Sequence, residues 1–193
     1  IIAMDETTGQ LGVAVQSHWF SVGFLVPWAK AGVGAVATQS FVKVDYGPEG
    51  LKMMESGMTA TEVLRTLTSQ DEGEDLRQVG MIDFNGNVAV HTGKRCIKYA
   101  GDVTGDNYSV QANMMANGTV PKAMANAFEN SKGGLADRMM AALEAAEAEG
   151  GDIRGKQSAA LLIVCFFYSS DSSHDFSLVG RGVRRANLML ILY

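Results

Sequence analysis

The sequence predicts a layered α+β domain, and three observations carry that prediction. Short β-type runs recur along the chain, two pairs of helix-patterned segments interrupt them, and turn residues punctuate the joins. Helix pairs set between antiparallel strands place the helices outside sheets that pack face to face. At 193 residues, with 47% hydrophobic and 19% charged positions, the chain is long enough to bury a substantial core as one domain.

Ile1 to Asp5 and Leu11 to Ser17 are two β-type runs around Gly9, a hairpin. In the second run Leu11, Val13, Val15 and Ser17 share one face, and Gly12, Ala14, Gln16 and His18 the other. The small-residue face lets a packed neighbour or a ligand approach closely. Phe20 to Val26 reads as extended, Pro27 to Gly32 as a loop, and Val33 to Ser40 as the next strand. Leu51 and Met54 give a short helix halted at Gly57, and Thr59 with Glu62 forms a capping-box pattern opening a second.

Asp71 to Asp75 reads as an acidic surface loop. Val79 to Asp83 and Val88 to His91 form a hairpin with an Asn-Gly turn, and Cys96 to Ala100 and Tyr108 to Met114 read as two further strands. Val120, Met124 and Phe128, then Leu135, Met139, Leu143 and Ala146, have helical spacing within Thr119 to Asn130 and Leu135 to Glu149. Gly150 and Gly151 suit the positive φ that closes a helix, and Ala159 to Phe167 has the length and bulk of a buried strand.

The net charge of -5 offers no basic stripe for nucleic acid. Cys96 and Cys165 lack the spacing of a disulfide framework or zinc knuckle, and His18, His91 and His174 lack that of a metal pair, so no metal and no cofactor are expected. The longest apolar stretch, Ala159 to Tyr168, is about half the ~20 residues of a membrane helix, so no membrane association is expected. A homo-oligomer is expected; the compartment is left open, with the cytoplasm favoured. The chain begins at Ile1 inside a strand-like pattern, so residues upstream of it are expected.

No nucleophile elbow or cysteine-protease signature is present. What stands out is a set of polar residues at strand ends: Ser17 and His18; Thr38, Gln39 and Ser40; Gln111 and Asn113 on one face; and Asp152, Arg154 and Gln157 before the last strand. Each could face a ligand. Each could equally bond local backbone, or, for Asp152 and Arg154, pair with the other.

The runs Thr8 to Val15, Val26 to Ala29, Ala31 to Ser40, Tyr46 to Pro48, Gly150 to Asp152 and Arg154 to Ala160, in this order, resemble the domain-of-unknown-function family 1028. That family is grouped with the N-terminal-nucleophile (Ntn) hydrolases. The resemblance therefore implies a four-layer αββα sandwich of two antiparallel sheets between helix layers. It also implies hydrolysis of an amide bond in a small acylated or peptide-like substrate by an N-terminal Thr, Ser or Cys, whose α-amine takes the proton. Ile1 has no such side chain, so the nucleophile is expected before it. Ser17, His18, Asn113 and Asp152 are then supporting residues, with the Asn113 amide a candidate oxyanion donor, and Thr38, Gln39, Arg154 and Gln157 candidates for substrate binding. The alternative is a non-catalytic domain that binds a ligand or assembles. An internal Ser17/His18 hydrolase is a third reading. Residues 1–164 carry the resemblance, and 165–193 depart from it as an atypical tail, for which a change of reading frame near residue 165 is one account.

Overall fold

Alternation along the first hairpin decides how the layers stack. In the computed structural model, which describes residues 1–165 and the backbone of 186–192, β1 (Ile2–Asp5) pairs antiparallel with β2 (Gln10–Ser17) through Ile2 opposite Val13. Ile2, Leu11, Val13 and Val15 point into a core between two sheets, while Ile1, Ala3 and Ala14 point into a second core beneath helices. The period of two thus sorts one hairpin into two cores.

The remaining elements follow as β3 (Pro27–Lys30), β4 (Gly34–Ser40), α1 (Tyr46–Glu55), α2 (Ala60–Ser69), β5 (Arg77–Asp83), β6 (Val88–Thr92), β7 (Gly101–Gly105), β8 (Tyr108–Ala112), α3 (Val120–Asn130), α4 (Leu135–Ala148), β9 (Ser158–Cys165) and β10 (Ala186–Leu192). One sheet has the order β10-β9-β2-β1-β8-β7, the other β3-β4-β5-β6, with antiparallel pairing throughout. Helices α3 and α4 cover the outer face of the larger sheet through Met124, Phe128, Met139 and Leu143. Helices α1 and α2 cover the smaller one through Tyr46, Met54, Val63 and Leu67. The described residues therefore form a layered α+β sandwich with the two sheets inside.

Small residues set the layer spacing. A Cβ on Gly12 would lie 2.5 Å from Met139 Sδ, so the small face of β2 exists to admit α4. A Cβ on Gly47 would lie 2.3 Å from Trp28 Cγ, and this close approach seats α1 on β3. The Thr59–Glu62 capping box opens α2, and α4 ends where Gly150 and Gly151 take φ of 120° and 58°.

Four segments differ from the sequence expectation. Pro27 to Lys30 is an edge strand, a position where the missing N–H of proline costs no ladder bond; a single short turn at Val22–Phe24 replaces the extended reading before it. The strand expected at Cys96 to Ala100 begins only at Gly101. Asp71 is not a surface residue: it is 8% exposed and its carboxylate accepts from Arg77 Nε at 2.9 Å, Gly73 N at 3.0 Å and the Tyr46 hydroxyl at 3.2 Å. The expectations for Phe166 and Phe167, for His174 and for the serine-rich and basic stretches before Ala186 lie outside the described residues.

Candidate functional site

A cavity of about 540 Å³ opens where the start of β1 meets the ends of β2, β4 and β8 and the segment between α4 and β9. Ile1 lies in its wall. The Ile1 nitrogen donates to Ala14 O at 3.0 Å, and Ala14 N donates to Ile1 O at 2.9 Å.

The wall between the sheets is a cluster of carboxamides. On β5, Gln78 is completely buried, and its Nε2 donates to Thr92 Oγ1 at 3.0 Å, Ala112 O at 2.9 Å and Gly101 O at 3.2 Å. Its Oε1 accepts from Gln39 Nε2 at 2.7 Å and Asn113 Nδ2 at 3.0 Å. Gln78 thereby ties one sheet to the other and fixes Gln39 and Asn113 at the cavity. Beside them Gln111, 5% exposed, donates from Nε2 to Ser109 Oγ at 2.5 Å, leaving Oε1 without a partner. Ser40, with φ of 70°, also lines the cavity and has an unpartnered buried hydroxyl.

The opposite wall is charged but internally neutralised. Asp152 pairs with Met115 in an isolated bridge that anchors the segment after α4. Its Oδ1 accepts from Arg154 N and Nε at 2.9 Å each, and its Oδ2 from Nη2 at 2.6 Å. Burial acts to raise the Asp152 carboxyl, but the Arg154 hydrogen bonds, with the His18 backbone N–H adding to them, hold it below its ordinary value. Lys156 Nζ lies 3.8 Å from Glu147 Oε2, and Glu147 Oε1 accepts from Gln16 Nε2 at 2.8 Å. Val22, Val26, Phe41, Val42 and Trp19 supply an apolar side.

Of the residues singled out in the sequence, Ser17, Gln39, Ser40, Gln111, Asn113, Asp152, Arg154 and Gln157 line this cavity. Thr38 and His18 do not. Thr38 lies on the other face of β4, fully buried, with its hydroxyl donating to Lys43 O at 3.1 Å. Arg154 Nε and Nη2 are occupied by Asp152, so a substrate carboxylate would compete with that pair. Sequence reasoning missed Gln78, a polar residue just before an apolar strand run, and Ser158, whose hydroxyl donates to Trp19 O at 2.6 Å and accepts from Val22 N at 3.1 Å. Among the described residues no group of three His, Cys, Asp or Glu side chains is placed to hold a metal, and no helix is long and apolar enough to cross a membrane.

A layered α+β sandwich with a carboxamide-lined cavity at the strand ends is the class of protein this geometry defines. The chain belongs to the family of unknown function DUF1028, whose model matches residues 1–179. It is similar in structure to protein SPO2555 from Silicibacter pomeroyi, a protein described with the same family, at a TM-score of 0.84 and 29% identity over 100% of this chain and 76% of that one. No curated protein matches the sequence.

Proposed function

We propose that the cavity is the active site of an Ntn-type hydrolase of amide bonds in small acylated or peptide-like substrates, with its nucleophile on a residue preceding Ile1. The observation that carries this reading is the register of β1. Ile2 stands opposite Val13 on one side and Ser109 on the other. Carried back past Ile1, that register brings preceding positions opposite Val15 and Gln111 and then, on the same face, opposite Ser17 and Asn113. That face looks between the sheets, toward Gln39 and Gln78.

A Thr, Ser or Cys there would attack the substrate carbonyl carbon as its own α-amine accepts the hydroxyl or thiol proton. The oxyanion would collapse, the C–N bond would break, and the departing amine would take that proton. Water would then cleave the acyl-enzyme ester or thioester and release the acid. The Asn113 amide, held by Gln78, is a donor suited to the oxyanion. Replacement of the mature first residue by Ala tests the reading: turnover of a panel of activated amides is abolished while the circular dichroism spectrum and melting temperature are kept.

A non-catalytic binding or assembly domain is the second reading, favoured by exposed aromatics on the stretch that supplies Trp19 and Val22 to the cavity wall. Trp19 is 57%, Phe20 80% and Phe24 74% exposed within one short stretch. Sedimentation of wild type and Phe20→Ser tests it: a dimer that dissociates on substitution, with no turnover in either protein, favours assembly.

A further inference from the structure

Arg77 and Gln78 are neighbours at the start of β5, and their side chains leave the strand on opposite faces. Gln78 holds Gln39 and Asn113 from between the sheets. Arg77 reaches the same cavity by another route. Its Nε donates to Asp71 Oδ2 at 2.9 Å, just beyond α2, and its Nη1 donates to Phe41 O at 2.6 Å, just beyond β4. The Asp71 carboxylate is itself buried and held by Gly73 N and the Tyr46 hydroxyl. A planar guanidinium with one edge committed to a fixed carboxylate aims its remaining nitrogen in one direction. Gly73 leaves room for it, since a Cβ there would lie 2.7 Å from Arg77 Nη2.

The segment gripped in this way is a wall of the cavity. Phe41, Val42 and Val44 line it, on a stretch that belongs to neither β4 nor α1. Phe41 is 50% exposed, so the wall is open to solvent. The stretch is otherwise tied down by Phe41 N donating to Leu76 O at 3.2 Å and by the Thr38 hydroxyl donating to Lys43 O at 3.1 Å. We propose that Arg77 is a positioning residue of the cavity: its bond to Phe41 O holds residues 41–44 in place, and an uncharged apolar ligand packs against Phe41, Val42 and Val44 only while that segment is held. This role requires neither a nucleophile nor a partner copy, and so goes beyond both readings of the function.

The test uses the methyl-labelled full chain and N-phenyl-1-naphthylamine, an uncharged apolar fluorescent probe. In the wild type the probe is expected to bind saturably and to shift the Val42 and Val44 methyl signals. Arg77→Lys keeps a charge beside Asp71 but lacks the planar fork that reaches Phe41 O as well. It is expected to broaden the Val42 and Val44 signals by exchange and to leave Val63 and Val79, in the core beneath α1 and α2, sharp. Probe affinity is expected to fall about threefold to tenfold, because the held segment is then populated only in part. Lys43→Met removes a second cation, 3.7 Å from Asp71, without touching the bond to Phe41 O, and is expected to change neither readout. Equal affinity of Arg77→Lys and wild type, broadening shared by Val63 and Val79, or no probe shift at Val42 and Val44 in the wild type overturns the proposal. Should Arg77→Lys not fold, Gly73→Ala, which displaces the guanidinium, decides by the same signals. An absence of amide turnover would count against the hydrolase reading and leave these signals unaffected.

Discussion

Asn113, the residue after β8 of one sheet, donates from Nδ2 to Oε1 of Gln78, on β5 in the other, at 3.0 Å. Both atoms of the Gln78 carboxamide are engaged, so this one buried side chain joins the sheets at the point where the cavity opens. Replacing it with Leu keeps the volume but strands several partners at once. Gln78→Leu is expected to lose about 3 kcal/mol of stability, read by urea denaturation. Gln39→Leu, which removes a single half-buried donor, is expected to lose about 1 kcal/mol.

The Asp71–Arg77 pair gives a pH prediction. The hydrogen bond from Arg77 is the main cause that holds the Asp71 carboxyl well below the usual carboxylate range, against the opposing effect of burial. A carboxyl depressed in the folded state binds fewer protons there than in the unfolded chain. Its stabilisation is therefore fully present above the unfolded value of about 4 and is lost as pH falls toward the depressed folded value. Wild type is expected to lose stability steeply below about pH 4, whereas Asp71→Asn, less stable at neutral pH by about 3 kcal/mol, shows a flatter acid limb. Equilibrium unfolding across that range checks it.

Helix seating supplies a third. Because a Cβ on Gly47 would fall 2.3 Å from Trp28 Cγ, Gly47→Ala must push α1 away from β3. A loss of about 2 kcal/mol is expected, with a change in Trp fluorescence. Gly57→Ala has no neighbour within 4 Å but a φ of 100°, so its smaller loss, about 1 kcal/mol, is purely a backbone effect.

The charged wall gives a fourth. Asp152→Asn removes the carboxylate that occupies Arg154 and leaves its guanidinium half-exposed at the cavity. Binding of a carboxylate-bearing amide such as hexanoyl-glycine is expected to tighten by about threefold to tenfold relative to wild type, measured by calorimetry. Unchanged affinity would mean that Arg154 does not reach the ligand.

Much of this arrangement was legible from local chemistry. The first hairpin, the capping box of α2 and the closure of α4 at Gly150 and Gly151 follow from period-two alternation and from residues that alone fit their backbone. The polar strand ends at Ser17, Gln39, Asn113 and Asp152 were visible as candidates, and they meet at one cavity. What was hidden depends on partners distant in sequence. Pro27 to Lys30 is a strand because β4 pairs with it, not by its own propensity. Asp71 is buried because Tyr46 and Arg77 enclose it. Gln78 stands next to an apolar run whose pattern says only that a strand is near; its bonds to Ala112 and Asn113 exist only once the two sheets are stacked.

Under the proposed hydrolase chemistry, a residue ahead of Ile1 attacks from the strand start that opens on this cavity. The most direct measurement is mass spectrometry of the mature protein after exposure to an activated acyl amide, with peptide mapping of the adduct. The expected result is a Thr, Ser or Cys as the mature first residue and a mass increase equal to the acyl group on that residue, absent when it is replaced by Ala. A bulky apolar first residue, or an adduct mapped instead to Ser17, would contradict it.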